Sequence, residues 1–199
     1  AGSGLPASAQ MARVRYALLA LARQDVEPAA LLTSLNDYLF AIGQDNFVTV
    51  TYGVLDRDRH VWAESRAGHP PTVVRSTDGE ARFLAYEHRS GLPLGVARDA
   101  RYETQDHKLP DDATLLLYTD GLFERRGEDL TVGLERLRRT FEAIVIEDPD
   151  EACARIADSL AGLNAEDDVA LLMTMFEGRG DRTTLAQLAF GSRPPSLDR

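Results

Sequence analysis

The chain has 199 residues, 44% of them hydrophobic, which is enough for one globular domain with a substantial core. Its formal net charge of −10 argues against nucleic acid and anionic membrane surfaces as partners, because both require a basic footprint. The single cysteine excludes an internal disulfide, and no apolar stretch approaches the roughly 20 residues of a transmembrane helix, so a cytoplasmic protein is expected.

The N-terminal part of the chain predicts two helices followed by strands. Apolar residues recur every three or four positions over residues 6–24 and 28–42, which is typical of amphipathic helices. The apolar period then changes to two at 47–55 and again at 61–65, with a turn between them, which indicates a hairpin. Further strands are expected at residues 72–75, 82–86, 102–109 and 113–119.

The C-terminal part predicts two more helices, at 134–146 and 150–163, and a closing strand at 169–176. Helices, then antiparallel strands, then helices form an α+β layout with helices packed on the faces of the sheet. Residues 177–199 are rich in Gly, Arg, Pro and Ser and are interpreted as a tail or linker. The expected organisation is therefore one domain over residues 1–176 and a tail.

Acidic residues stand at the ends of the two most apolar predicted strands. Asp120-Gly121 follows the run that ends at Thr119, and Asp167-Asp168 precedes the run that starts at Val169. If these strands are neighbours, their carboxylates meet at one edge of a sheet, where a hard divalent cation would relieve their repulsion. Each pair alone is also a common strand-ending turn or a charged lead-in. The two together suggest an oxygen-ligand metal site.

The other candidate residues are weaker. His69 lies between Gly68 and two prolines and could act as a base or a ligand, but a loop histidine that hydrogen-bonds the backbone is the preferred interpretation. The remaining histidines show no zinc spacing, and one cysteine cannot build a thiolate site. No P-loop or Gly-x-Ser-x-Gly nucleophile motif is present in the sequence.

An ordered set of motifs resembles the stage II sporulation protein E (SpoIIE) branch of the PPM-type, protein phosphatase 2C-like family, which includes the RsbU-like bacterial stress regulators. The motifs occur in family order and cover nearly all of residues 4–176. They are Gly4–Ala12, Leu31–Asn36, Phe47–Asp56, Ala67–Pro71, Gly91–Gly95, Leu115–Gly121 and Asp167–Leu172.

The resemblance implies a central antiparallel β-sandwich flanked by α-helices and a protein phosphatase acting on phosphoserine or phosphothreonine. It implies two Mn²⁺ or Mg²⁺ ions that activate a water, so that no side chain acts as nucleophile. By motif match the metal ligands are Asp120 and Asp167 or Asp168, and Gly121, Ser3 and Gly4 lie beside the metals. The implied substrate is a phosphorylated anti-sigma-factor antagonist.

The resemblance also implies a part that this sequence lacks. The family places strands and a Gly-Asp pair, whose Asp bridges the metals, ahead of a Gly-His-Gly turn. This sequence starts inside that turn, at Ala1-Gly2-Ser3-Gly4. Three explanations are open: the sequence is a fragment, it is a degenerate phosphatase that binds signalling partners without catalysis, or another chain supplies the strands. A homodimer formed through the first two helices is compatible with both the enzyme and the binding module.

Overall fold

The computed structural model describes residues 5–24, 26–43, 46–85, 90–161, 168–175 and 183–191, of which 5–10, 161 and 183–191 are described in backbone only. The elements are α1 (Leu5–Ala22), α2 (Pro28–Ala41), β1 (Phe47–Asp56), β2 (Val61–Ala67), β3 (Val73–Arg75), β4 (Ala81–Phe83), β5 (Gln105–Lys108), β6 (Thr114–Tyr118), a 3₁₀ turn (Asp120–Leu122), α3 (Leu130–Ala143), α4 (Pro149–Ala161), β7 (Leu171–Met175) and β8 (Thr183–Gly191).

The strands form two four-stranded sheets in which all pairings are antiparallel. The first sheet has the order β5-β2-β1-β8 and the second the order β4-β3-β6-β7. The predicted hairpin is the β1–β2 pair, in which Leu55 lies opposite Trp62. The two predicted strands with acidic ends are β6 and β7, and they are neighbours, with Tyr118 opposite Leu171.

The two helix pairs and the two sheets form four layers, and a hydrophobic cluster fills each of the three spaces between them. Helices α1 and α2 pack on the outer face of the first sheet through residues such as Leu35 and Val50. Helices α3 and α4 pack on the outer face of the second sheet, where Phe141 and Leu116 belong to one cluster. A third cluster, which includes Trp62 together with residues of β1, β3 and β6, fills the space between the sheets. Because both faces of the second sheet are covered, the central strand β6 is apolar from Leu115 to Tyr118, whereas the first sheet also buries polar residues such as Thr51 and Glu64.

The inter-sheet core depends on one glycine. A Cβ atom at Gly53 would lie 2.2 Å from Cζ2 of Trp62, and the Trp62 side chain is fully buried. Glycine at this position of β1 therefore makes room for the largest side chain between the sheets.

A buried asparagine joins α2 to the loop that follows Gly91. The Asn36 side chain donates to the carbonyl of Ala97 (3.0 Å) and accepts from the backbone N–H of Gly95 (2.9 Å). These two hydrogen bonds satisfy backbone groups of the loop that lie outside any strand, so they fix the loop against the helix.

The interpretation of residues 177–199 as a tail or linker is wrong for residues 183–191. These residues form β8, which pairs with β1 from Leu55 opposite Thr183 to Phe47 opposite Gly191. Pairing satisfies the N–H and C=O groups that β1 would otherwise expose along one edge. Within the described part of the chain, no helix has the length and apolarity needed to cross a membrane.

Candidate active site

The predicted acidic strand ends lie together at one edge of the second sheet. Asp120 begins the 3₁₀ turn that follows β6 and is half-buried, and Asp168 leads into β7 and is exposed. Antiparallel pairing places the end of β6 beside the start of β7, which brings these two residues to the same edge. Asp167, Ser3 and Gly4, the other predicted site residues, lie outside the described residues.

Thr119 connects the two strand ends through three hydrogen bonds. Its backbone N–H donates to the carbonyl of Ala170 (3.0 Å). Its hydroxyl donates to the carbonyl of Asp168 (3.0 Å) and accepts from the N–H of Ala170 (2.9 Å). The side chain is buried, with 5% exposure, so this set is shielded from water. Thr119 therefore holds the chain at Asp168 next to the chain at Asp120.

The Asp120 carboxylate is oriented by the turn that it begins. Its Oδ1 accepts from the backbone N–H of Gly121 (3.0 Å), and its carbonyl accepts from the N–H groups of Phe123 (3.0 Å) and Glu124 (2.9 Å). One oxygen of the Asp120 carboxylate is thus held in place by the turn. Gly121, predicted to lie beside the metals, serves here as a backbone donor to Asp120.

The described donor set fits part of a metal site. Two carboxylates at one edge suit Mg²⁺ or Mn²⁺, and Mg²⁺ is commonly held by one or two carboxylates while keeping several waters. Within the described residues, however, no group of three or more His, Cys, Asp or Glu side chains is placed to hold an ion. A two-ion centre therefore requires ligands beyond Asp120 and Asp168.

His69 is enclosed rather than exposed in its loop. Its Nδ1 lies 3.0 Å from Oγ1 of Thr49 on β1. Burial lowers the pKa of His69 to about 4, and this effect outweighs the opposing interaction with the Tyr118 backbone. The imidazole is consequently neutral at pH 7 and joins the loop after β2 to β1.

The whole set of motifs matches one family model, described as stage II sporulation protein E (SpoIIE), over residues 1–177. The chain belongs to the SpoIIE family. This assignment confirms the resemblance inferred from the ordered motifs, of which Leu115–Gly121 forms β6 and the turn that carries Asp120.

Similar proteins agree with this SpoIIE assignment. The chain is 28% identical over 176 residues to the phosphoserine phosphatase RsbU of Bacillus subtilis (strain 168), an alignment that covers 86% of the chain and 52% of RsbU. The chain thus spans about half the length of that curated relative.

Solved structures show the fold. The structure of the RsbU and RsbW domains of Rv1364c from Mycobacterium tuberculosis matches with a TM-score of 0.77 at 24% identity, covering 90% of this chain and 50% of that one. The structure of RsbX in complex with magnesium matches with a TM-score of 0.62 at 15% identity, covering 87% and 76%. The predicted α+β fold, an antiparallel β-sandwich between helices as in PPM-type phosphatases, is confirmed.

Sequence reasoning missed the role of Thr119. Thr119 lies within the motif Leu115–Gly121, but the sequence pattern indicates a function only for Asp120. A signal was present, since a threonine beside a strand end can hydrogen-bond neighbouring backbone groups. Its partners at residues 168 and 170 follow only from the β6–β7 pairing.

Proposed function

We propose that this SpoIIE-family chain carries a metal-dependent phosphatase activity that hydrolyses phosphoserine or phosphothreonine on a regulatory protein of the anti-sigma-factor antagonist type. The observation that supports the proposal is that Asp120 and Asp168 lie at one edge of the second sheet. Hydrogen bonds of the Thr119 hydroxyl to the backbone at residues 168 and 170 hold them there. The name of RsbU, a phosphoserine phosphatase, supports the reaction class. The magnesium in the RsbX structure supports a hard divalent cation.

In this proposal the chain's own residues position the cation. The carboxylates of Asp120 and Asp168 would hold Mn²⁺ or Mg²⁺, and Asp167, outside the described residues, is a further predicted ligand. When bound, such a cation neutralises charge on phosphoryl oxygens and lowers the pKa of water. Gly121 fixes one oxygen of Asp120 through its N–H, and Thr119 fixes the backbone of Asp168. Together these contacts fix one oxygen of Asp120 and the backbone at Asp168 before substrate binds.

The test compares Asp120→Asn and Asp168→Asn with the unaltered full chain in Mn²⁺-stimulated phosphate release from a phosphorylated antagonist protein. Loss of a direct ligand should reduce the rate by more than the roughly 10–100-fold typical of residues that only support a ligand. Asp58→Asn is the matched control, because Asp58 is an exposed aspartate in the β1–β2 turn. Phosphate release that persists undiminished in Asp120→Asn would refute the assigned role.

A second candidate function is that of a phosphatase-fold regulator that binds signalling partners without hydrolysis. It is favoured by the two-carboxylate donor set, since the described residues contain no group of three metal-binding side chains. Calorimetric titration of Mn²⁺ into the full chain discriminates the two. Tight binding of two ions supports the enzyme, and no binding together with capture of the antagonist protein supports the regulator.

We also infer a homodimer formed through the first helices in the cytoplasm. Helix α1 exposes Met11 (50%), Tyr16 (71%) and Leu19 (48%), and these large apolar side chains suit contact with a second copy. Sedimentation equilibrium tests this inference, and a monomer at every protein concentration would contradict it.

A further inference from the structure

The loop of residues 68–72 connects β2 of the first sheet to β3 of the second sheet. Because β3 is antiparallel to β6, the start of β3 lies beside the end of β6. Loop 68–72 therefore lies at the end of the sandwich where β6 leads into Asp120. Pro70 and Pro71 restrict their own backbone and that of the residue before each of them, which makes the loop a stiff link.

One end of loop 68–72 is bound to the first sheet through His69. Nδ1 of His69 lies 3.0 Å from Oγ1 of Thr49 on β1, and the Thr49 hydroxyl can donate or accept according to the tautomer of the ring. The His69 side chain is buried. This contact therefore ties the loop to β1 away from water.

The other end of the loop is bound to the second sheet through Tyr118. The Tyr118 hydroxyl donates to the carbonyl of Pro71 (2.8 Å), and both residues are buried. The Tyr118 backbone also interacts with the His69 ring. Without the hydroxyl, the buried Pro71 carbonyl would lose its donor with no water to replace it, which is unfavourable. Loop 68–72 thus joins β1 to the end of β6.

Tyr118 also packs against the turn that carries Asp120. Its ring meets the Phe123 ring edge to face, with ring centroids 5.7 Å apart and an interplanar angle of 83°. The N–H of Phe123 in turn donates to the carbonyl of Asp120 (3.0 Å). Because Tyr118 comes two residues before Asp120 and contacts the other end of the turn, a displacement of Tyr118 displaces the turn.

We propose that Tyr118 is a positioning residue for the candidate metal site, and that its hydroxyl and loop 68–72 fix Asp120 relative to the first sheet. This inference rests on the proposed function, because it takes Asp120 to be a metal ligand. The position matters because the predicted site residues Ser3 and Gly4 directly precede α1, which packs on the first sheet, whereas Asp120 belongs to the second. Mg²⁺ requires near-ideal octahedral geometry, so ligands from two sheets need a fixed spacing.

The test measures two properties of Tyr118→Phe in the full chain, well below its melting temperature. The first is hydrogen exchange at the N–H groups of Phe123 and Glu124, which donate to the Asp120 carbonyl, and the second is calorimetric Mn²⁺ affinity. Phenylalanine keeps the aromatic ring and removes only the hydroxyl. We expect exchange to be about 5–100-fold faster and Mn²⁺ binding to be about 10–100-fold weaker, the range for residues that orient a ligand.

Two further variants test the loop and control for stability. Thr49→Val removes the hydroxyl that contacts His69 and should also weaken Mn²⁺ binding. Since Thr49→Val and Tyr118→Phe release the same loop, the double variant should bind Mn²⁺ within about twofold of the weaker single variant. Thr104→Val is the matched control, because it loses a hydrogen bond to the Ala29 N–H on α2 (3.0 Å) and should keep the exchange rates and Mn²⁺ affinity of the unaltered chain.

The two readouts separate positioning from a purely structural role. Faster exchange in Tyr118→Phe with unchanged Mn²⁺ affinity would overturn the proposal, and so would unchanged exchange at the turn. Additive effects in the double variant, or an unchanged affinity in Thr49→Val, would overturn the role of loop 68–72. If the unaltered chain binds no Mn²⁺, the proposed function fails and the positioning role fails with it. Equal Mn²⁺ binding by the unaltered chain and Tyr118→Phe refutes the positioning role alone.

Discussion

Replacing Thr119 with valine tests whether its hydroxyl holds the two acidic strand ends together. Valine has nearly the same shape but removes the hydroxyl that donates to the Asp168 carbonyl and accepts from the Ala170 N–H. The backbone bond from Thr119 to the Ala170 carbonyl remains. Any effect therefore reports on the hydroxyl rather than on the β6–β7 pairing.

The expected loss of stability follows from two hydrogen bonds. Each contributes about 0.5–1.5 kcal/mol net, so Thr119→Val should lower the free energy of unfolding by about 1–3 kcal/mol. For a domain of this size that corresponds to a fall in melting temperature of roughly 2–12 °C. Release of the Asp168 backbone should also weaken Mn²⁺ binding by about 10–100-fold, the range for residues that orient a ligand.

The assay pairs thermal unfolding with Mn²⁺ titration for the unaltered chain, Thr119→Val and Thr119→Ser. Serine keeps the hydroxyl, so it should retain metal binding within a few-fold and lose only the contacts of a methyl group. Equal Mn²⁺ affinity in the valine variant and the unaltered chain would refute the assigned role of the hydroxyl. The same conclusion follows if the serine variant binds Mn²⁺ as weakly as valine.

Three further predictions concern the scaffold. Gly133→Ala should lower the free energy of unfolding, measured by chemical denaturation, by about 1–3 kcal/mol, because the new Cβ would lie 2.3 Å from the Phe123 carbonyl oxygen. Asn36→Ala should cost about 2–3 kcal/mol in the same measurement, since it leaves the Gly95 N–H without its acceptor. The third prediction concerns pH. The pKa of His69 is about 4 in the folded chain, below the ordinary value of 6.5. Between pH 4 and pH 6.5 the unfolded chain therefore binds a proton at His69 that the folded chain does not. Stability should therefore fall as the pH drops from 6.5 to 4, by at most about 1.4 kcal/mol per pH unit for this group, and His69→Gln should flatten the slope.

Each of these predictions has its own control variant or contradicting outcome. Alanine normally stabilises a helix relative to glycine, so a stabilising Gly133→Ala would contradict the close approach to Phe123. Ser34→Ala, at an exposed position of the helix that carries Asn36, should stay within about 0.5 kcal/mol of the unaltered chain. An unchanged pH dependence in His69→Gln would show that other groups, such as His107, whose pKa burial also lowers, cause the slope.

The four-layer fold could be predicted because local patterns determine most of it. The change from helical period to period two at Phe47 located β1, and the turn before Val61 defined its hairpin with β2. The acidic residues at the ends of β6 and β7 could be located because both strands are short, apolar and bounded by turn residues. That the two strands are neighbours was only a condition in the sequence analysis, and the structure satisfies it. These features depend on neighbours in sequence or on burial, which the sequence displays directly.

Features that depend on a distant partner were not predictable in the same way. The apolar residues Leu185, Leu188 and Phe190 follow neither a helical nor a strand period, and β8 forms only because the edge of β1 is available to it. The sequence pattern likewise indicates that Glu64 is a solvent-facing residue of an alternating strand. Its burial follows from Trp62 and Thr72, whose donors face its carboxylate only after the sheets have packed together.

The pairing of β1 with β8 has a consequence for the order of folding. The β1–β2 hairpin closes a short loop, whereas the β1–β8 pair joins segments at least 128 residues apart in the sequence, the separation of Leu55 and Thr183. Closing so long a loop loses more chain entropy and is slow, so this edge should be the last part of the first sheet to form. During synthesis, β1 therefore presents an open strand edge until residues 183–191 emerge, and in that interval it is the surface most exposed to mispairing with another chain.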